Sequence, residues 1–171
     1  FQTATKKKHL TTLARRSFLA MAAGVLAASV LLMVYILRHQ FEYAYVWSYS
    51  SLDLQTHLLV TTFWAGQEGS FLFWTLCSML IGFTLLNYSR NKRIESETMA
   101  VYSLLQSFLL LLLITKSPFK YIWDELPNQA AAGTVPVDGK GLNPLLQNFW
   151  MIIHPPVLFI VGITKTTLCR K

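Results

Sequence analysis

Residues 17–37 read SFLAMAAGVLAASVLLMVYIL, an uncharged run directly behind a segment holding Lys6, Lys7, Lys8, His9, Arg15 and Arg16. As a helix, a run of this length crosses about 30 Å of hydrocarbon. It is too long for a signal-peptide core, and no small-residue cleavage site follows it. The run therefore predicts a spanning helix. Working outward, further apolar runs occupy 71–88, 98–115 and 149–164, the last short but sufficient in a thin or tilted arrangement. The expected fold is all-α: one polytopic membrane domain of about four transmembrane helices over residues 1–171.

Composition agrees. Hydrophobic residues make up 53% of the 171 and charged residues only 13%, about half the charged share of a soluble domain. Mean hydropathy is +0.41. The net charge of +7 sits in short clusters flanking apolar runs, which marks topology and argues against a nucleic-acid partner. Cys77 and Cys169 form no CxxC, CxxCH or zinc spacing, so no redox or haem-attachment motif is present.

Two long connections, 38–70 and 116–148, separate the runs. The first carries Phe41, Tyr43, Tyr45, Trp47 and Tyr49 in alternation, a pattern open to either a strand or an interfacial segment. Residues 54–63 predict a short amphipathic or re-entrant helix, too short to span. His57 within it reads as a hydrogen-bonded interfacial histidine ahead of a metal ligand. Trp64-Ala65-Gly66-Gln67-Glu68-Gly69-Ser70 follows, where two glycines bracketing Gln67 and Glu68 predict a tight turn. Glu68 suits the positive end of the next helix. Trp64 and Trp74 flank this turn, as membrane anchors or as a flat aromatic surface. In the 98–115 run, Tyr102, Gln106 and Ser107 make a polar stripe suited to joining helices. The second connection adds Phe119, Tyr121, Ile122 and Trp123, another interfacial segment, before a flexible part at 128–140.

The basic segments at the N-terminus, 89–97 and 165–171 place those ends in the cytoplasm. Both long connections then share the opposite face. On that face lies GLNPLLQNFWMIIHPPVLFIVG, residues 141–162. Asn143, Pro144, Gln147 and Asn148 form turns, Phe149 and Trp150 follow, and then His154-Pro155-Pro156. A histidine at this depth is costly without a partner. Prolines favour a helix start, so His154 is expected just outside a membrane helix. Taken alone, it reads as a structural helix-end histidine.

Ala44-Tyr45-Val46…Tyr49-Ser50, the Trp64–Ser70 segment with Trp74, Lys116-Ser117-Pro118-Phe119 and the 141–156 motif occur in an order that resembles the cytochrome c-type biogenesis haem lyase family of the CcmF and NrfE kind. The likeness covers about residues 38–162. It implies a bacterial inner-membrane protein that receives haem from a chaperone and attaches it to apocytochrome c outside the cytoplasm, beside other maturation membrane proteins. By position in the HPP motif, His154 is implied as an axial haem ligand, with Phe149 and Trp150 near the macrocycle. Trp64, Gly66, Gln67, Glu68, Gly69, Asn143, Pro144, Gln147, Pro155 and Pro156 are implied as motif and partner-contact positions. No catalytic residue is implied. The family's tryptophan-rich WWD segment does not occur, and Ile163–Lys171 departs from the family's apolar continuation. The expectation is an N-terminal part of a longer protein, inactive alone. A different class, a membrane scaffold or transporter piece with structural histidines, is the alternative.

Overall fold

The computed structural model of the chain describes residues 2–92, 95–128 and 130–168. Seven α-helices follow in order: α1 Gln2–Leu37, α2 Ala44–Tyr49, α3 Thr56–Thr62, α4 Gln67–Lys92, α5 Glu95–Thr115, α6 Ile122–Glu125 and α7 Phe149–Leu168, with a 3-10 turn over Pro144–Gln147. Among the described residues three stretches have the length and hydropathy to cross a membrane: Thr11–Leu37, Gln67–Ser89 and Glu97–Thr115. These contain the first three predicted runs, and the fold is all-helical and multi-pass. The fourth run is helical as α7; the side chains of most of its second half, and Cys169, lie outside the described residues.

The spanning helices pack by shape and by a few polar contacts. Leu32, Ile36 and Leu72 are fully buried where α1 meets α3 and α4. Between α4 and α5, the Ser78 hydroxyl donates to Gln106 Oε1 at 2.9 Å, and the Tyr102 hydroxyl donates to the Ser78 carbonyl at 3.0 Å. Gly82 leaves room for the Tyr102 and Phe18 rings. Tyr102 and Gln106 thus join helices as the polar stripe predicts. Ser107 instead donates to the Ser103 carbonyl of its own helix.

α1 ends in a closed cap. The His39 N–H donates to the Ile36 carbonyl and the Gln40 N–H to the Tyr35 carbonyl, which satisfies carbonyls the helix leaves open. His39 holds the left-handed position at φ 52°, where glycine is usual. The chain then turns back over the helix ends.

The two connections fold onto each other. The Ala44 N–H donates to the Lys120 carbonyl and the Ile122 N–H to the Glu42 carbonyl, forming a single antiparallel bridge at Tyr43 and Tyr121. Tyr35, Tyr43, Tyr121 and Trp123 stack in succession, with centroids 4.4, 5.4 and 4.7 Å apart. Asp138 Oδ1 accepts from the Leu52 N–H at 2.9 Å, and the Lys140 N–H donates to the Trp47 carbonyl at 2.7 Å. The alternating aromatics do not form a strand: residues 44–49 are α2. Residues 56–62 form the predicted short helix.

Candidate functional site

The Trp64–Ser70 segment is built around a buried phenol. Tyr45 donates to the Thr62 carbonyl at 2.8 Å and accepts from the Gly66 N–H at 3.1 Å. Burial pushes its hydroxyl well above the usual tyrosine range, partly offset by the Gly66 N–H. Gly66 and Gly69 exist for this ring. A Cβ at Gly69 would overlap Tyr45 and the Phe63 carbonyl, and one at Gly66 would sit 2.6 Å from Tyr49 Cζ. The glycines therefore do not bracket a tight turn. Gln67, Glu68 and Gly69 lie in the first turn of α4, pressed against α2. Glu68 sits in that first turn, where the helix N-terminus favours a carboxylate. Ser70 donates to the Trp64 carbonyl at 2.8 Å, and Trp64 rests on Phe73 with centroids 5.3 Å apart.

The second motif is a chain of caps. Asn143 Oδ1 accepts from the Leu145 N–H at 3.0 Å, starting the 3-10 turn with Pro144 as its first residue. Gln147 donates to the Leu142 carbonyl at 2.9 Å. Asn148 Oδ1 accepts from the Trp150 N–H at 3.1 Å and so caps α7. The helix therefore starts at Phe149. Pro155 and Pro156 fall inside it, and His154 is in its second turn rather than outside it. The prediction that the prolines begin the helix is corrected. The Asn148 cap and the turn before it fix the start earlier than the prolines would.

Those prolines have a second consequence. Proline has no N–H, so Pro156 cannot serve the Ile152 carbonyl four residues earlier. The Trp64 indole N–H takes that place at 3.2 Å. The vacancy made by one motif is filled by the tryptophan of the other. The two predicted motifs meet at this bond, and α7 packs on α4.

The bond fixes which face α7 turns outward. Trp150 is 73% exposed, and His154 is exposed one turn further on. Val157, Leu158 and Val161 continue the stripe at helical spacing. Phe149 meets Trp150 edge-on at 5.6 Å and is also exposed. The arrangement presents one imidazole in the middle of an apolar strip. That donor set fits one axial position of a flat, apolar macrocycle lying against one helix face. His57 is exposed on α3, and among the described residues no group of three or more His, Cys, Asp or Glu side chains could hold a metal ion.

Sequence reasoning gave Tyr45 and Tyr49 no role, although their i, i+4 spacing ahead of two glycines is the visible trace of this packing. It gave no role to the Ile152 carbonyl either, which only the Pro156 position betrays.

The fold and the site define a multi-pass helical membrane protein that displays a histidine on an exposed apolar helix face, braced by a tryptophan from a preceding loop. The profile of the family described as Cytochrome C assembly protein matches residues 64–162, and the chain belongs to that family. It is 34% identical over 147 residues to the cytochrome c-type biogenesis protein CcmF of Pseudomonas aeruginosa, covering 84% of this chain and 20% of that protein. Against CcmF of Escherichia coli it is 31% identical over 140 residues, covering 80% and 20%. Against NrfE of Haemophilus influenzae it is 30% identical over 123 residues, covering 70% and 18%. The chain spans about a fifth of the length of these relatives. No solved structure matches it.

Proposed function

We propose that the chain acts in cytochrome c biogenesis, as the histidine-bearing first part of a membrane component that holds haem for attachment to apocytochrome c. His154 is the axial ligand, with Trp150 and Phe149 beside the macrocycle. The loop side faces away from the cytoplasm in a bacterial inner membrane, and α7 crosses as the fourth span. A haem chaperone, other maturation membrane proteins and apocytochrome c are the partners. Bound haem supplies the macrocycle that is joined to cysteine thiols of the cytochrome. The protein's own residues orient it: Asn148 and Trp64 set α7, and α7 aims His154. The Trp64–Ser70 segment, with Gln67 exposed at the head of α4, suits contact with a delivering partner.

The observation that carries this is the exposure of His154 on the apolar face of a helix whose rotation is fixed from outside it. A purely structural histidine would be packed or capped. Titrating haemin into detergent-solubilised protein tests the reading. Wild type and His57→Ala develop the same Soret shift, and His154→Ala does not. A shift that survives His154→Ala would assign binding elsewhere, and no shift in any form would favour the scaffold alternative.

A further inference from the structure

On the opposite side of the molecule, a groove of about 620 Å³ runs between the first half of α1 and α5. Thr11, Ala14 and Phe18 form one wall, and Met99, Ser103 and Leu110 lie along the other. Its lip lies at the level of Arg15 and Arg16, the last charges before the apolar run of α1. Along α5 it extends from Met99 to Leu110, about 16 Å at helical rise, or roughly half of the ~30 Å hydrocarbon core. The groove thus begins at headgroup depth and stops near the bilayer midplane. Beyond it α1 is covered by α3 and α4, where Leu32 and Ile36 are fully buried. A second spanning helix would need a face running the full thickness. A single acyl chain needs only one leaflet.

Charge selects the headgroup. Around the lip the sequence carries Arg15 and Arg16 on α1, preceded by Lys6, Lys7 and Lys8, with Arg90 and Lys92 closing α4. Against them stand only Glu95 and Glu97 at the start of α5. A basic cluster beside an acyl-sized groove at one leaflet suits a phosphate-bearing lipid of net negative charge. We infer that this groove is a binding site for one anionic phospholipid, its acyl chain between α1 and α5 and its headgroup at Arg15 and Arg16. The site is separate from the His154 face and independent of haem.

The test is native mass spectrometry of the protein in mild detergent, mixed with equal phosphatidylglycerol and phosphatidylcholine of identical chains. At about 1 kcal/mol for each basic residue near the lipid phosphate, the wild type retains one phosphatidylglycerol with a preference of about fivefold or more. Arg15→Gln with Arg16→Gln brings the ratio close to one. Ala100→Leu with Ser103→Leu fills the groove and abolishes the adduct while helical circular dichroism is unchanged. A phosphatidylglycerol with a photoreactive chain gives a check that needs no variant: wild-type cross-links fall within residues 99–110 and 11–21. Equal retention of both lipids, an adduct that survives groove filling, cross-links elsewhere, or a lipid-free dimer closed over this face would each overturn the inference.

Discussion

At the scale of single residues, the most instructive positions are the glycines. Gly69 faces Tyr45 and the Phe63 carbonyl with no room for a methyl group, whereas Gly24 of α1 faces open space. The same substitution should therefore have opposite signs. Gly69→Ala forces α2 and α4 apart and is expected to destabilise by about 1–3 kcal/mol, the usual cost of overpacking. Gly24→Ala adds helix propensity at no steric cost and is expected to stabilise by about 0.5–1 kcal/mol. Thermal melts in one detergent compare them, and a harmless Gly69→Ala would contradict the packing of Tyr45 described above. Glycine-rich motifs invite a ligand-binding explanation. Here close approach of a tyrosine accounts for both glycines.

At the scale of elements, α7 depends on an exchange between Pro156 and Trp64. The Ile152 carbonyl has no intrahelical donor, and the Trp64 indole serves it instead. Trp64→Phe should cost about 0.5–1.5 kcal/mol in the natural background. In Pro156→Ala the helix supplies its own donor, so the same Trp64→Phe change should cost measurably less. A double-mutant cycle on unfolding gives the coupling, and simple additivity would contradict the exchange. The α4–α5 pair rests on a different device. Gln106 is buried and accepts from Ser78, and an interhelical bond of this kind is worth about 0.6 kcal/mol, up to about 1.7. Gln106→Leu is expected to lower stability by an amount in that range. An unchanged or raised melting temperature would show that shape alone holds the pair.

At the scale of the whole molecule, the loop side is a tyrosine-rich assembly, and this gives it an alkaline limit. Burial raises Tyr45 and Tyr49 above the ordinary tyrosine value, and Tyr43 is raised first by its hydrogen bond to Tyr35 and then by burial. In each case the folded chain holds the neutral phenol while the unfolded chain ionises near pH 10. The stability from these groups is complete below about pH 10 and is lost as pH rises above it. Melting temperature should fall from that point, with tyrosinate absorbance appearing only as the protein unfolds. Tyrosinate at full strength near pH 10 in folded protein would contradict the burial.

Much of this whole was legible in the sequence. The apolar runs state the spanning helices because length and uncharged character leave few alternatives in lipid. The basic clusters place both loops on one side. The meeting of the Trp64–Ser70 and Asn143–Pro156 segments followed from that parity. What the sequence hid was local. Whether Tyr43–Tyr49 forms strand or helix depends on docking against 119–122, a contact far away in the chain. The start of α7 depends on Asn148 acting as a cap, which outweighs the local preference of Pro155 and Pro156 for a helix beginning. The bond from Trp64 to Ile152 is a side-chain-to-backbone contact that no residue pattern encodes directly.

The central claim is that His154 is the residue this framework presents to haem iron. The most direct measurement is ligand rescue: haemin added to His154→Gly protein in detergent, with and without free imidazole, beside the wild type. The account predicts a Soret band and ferric electron paramagnetic resonance spectrum of histidine ligation in the wild type, loss of both in His154→Gly, and their return with imidazole. The same spectra from His154→Gly without imidazole would contradict it.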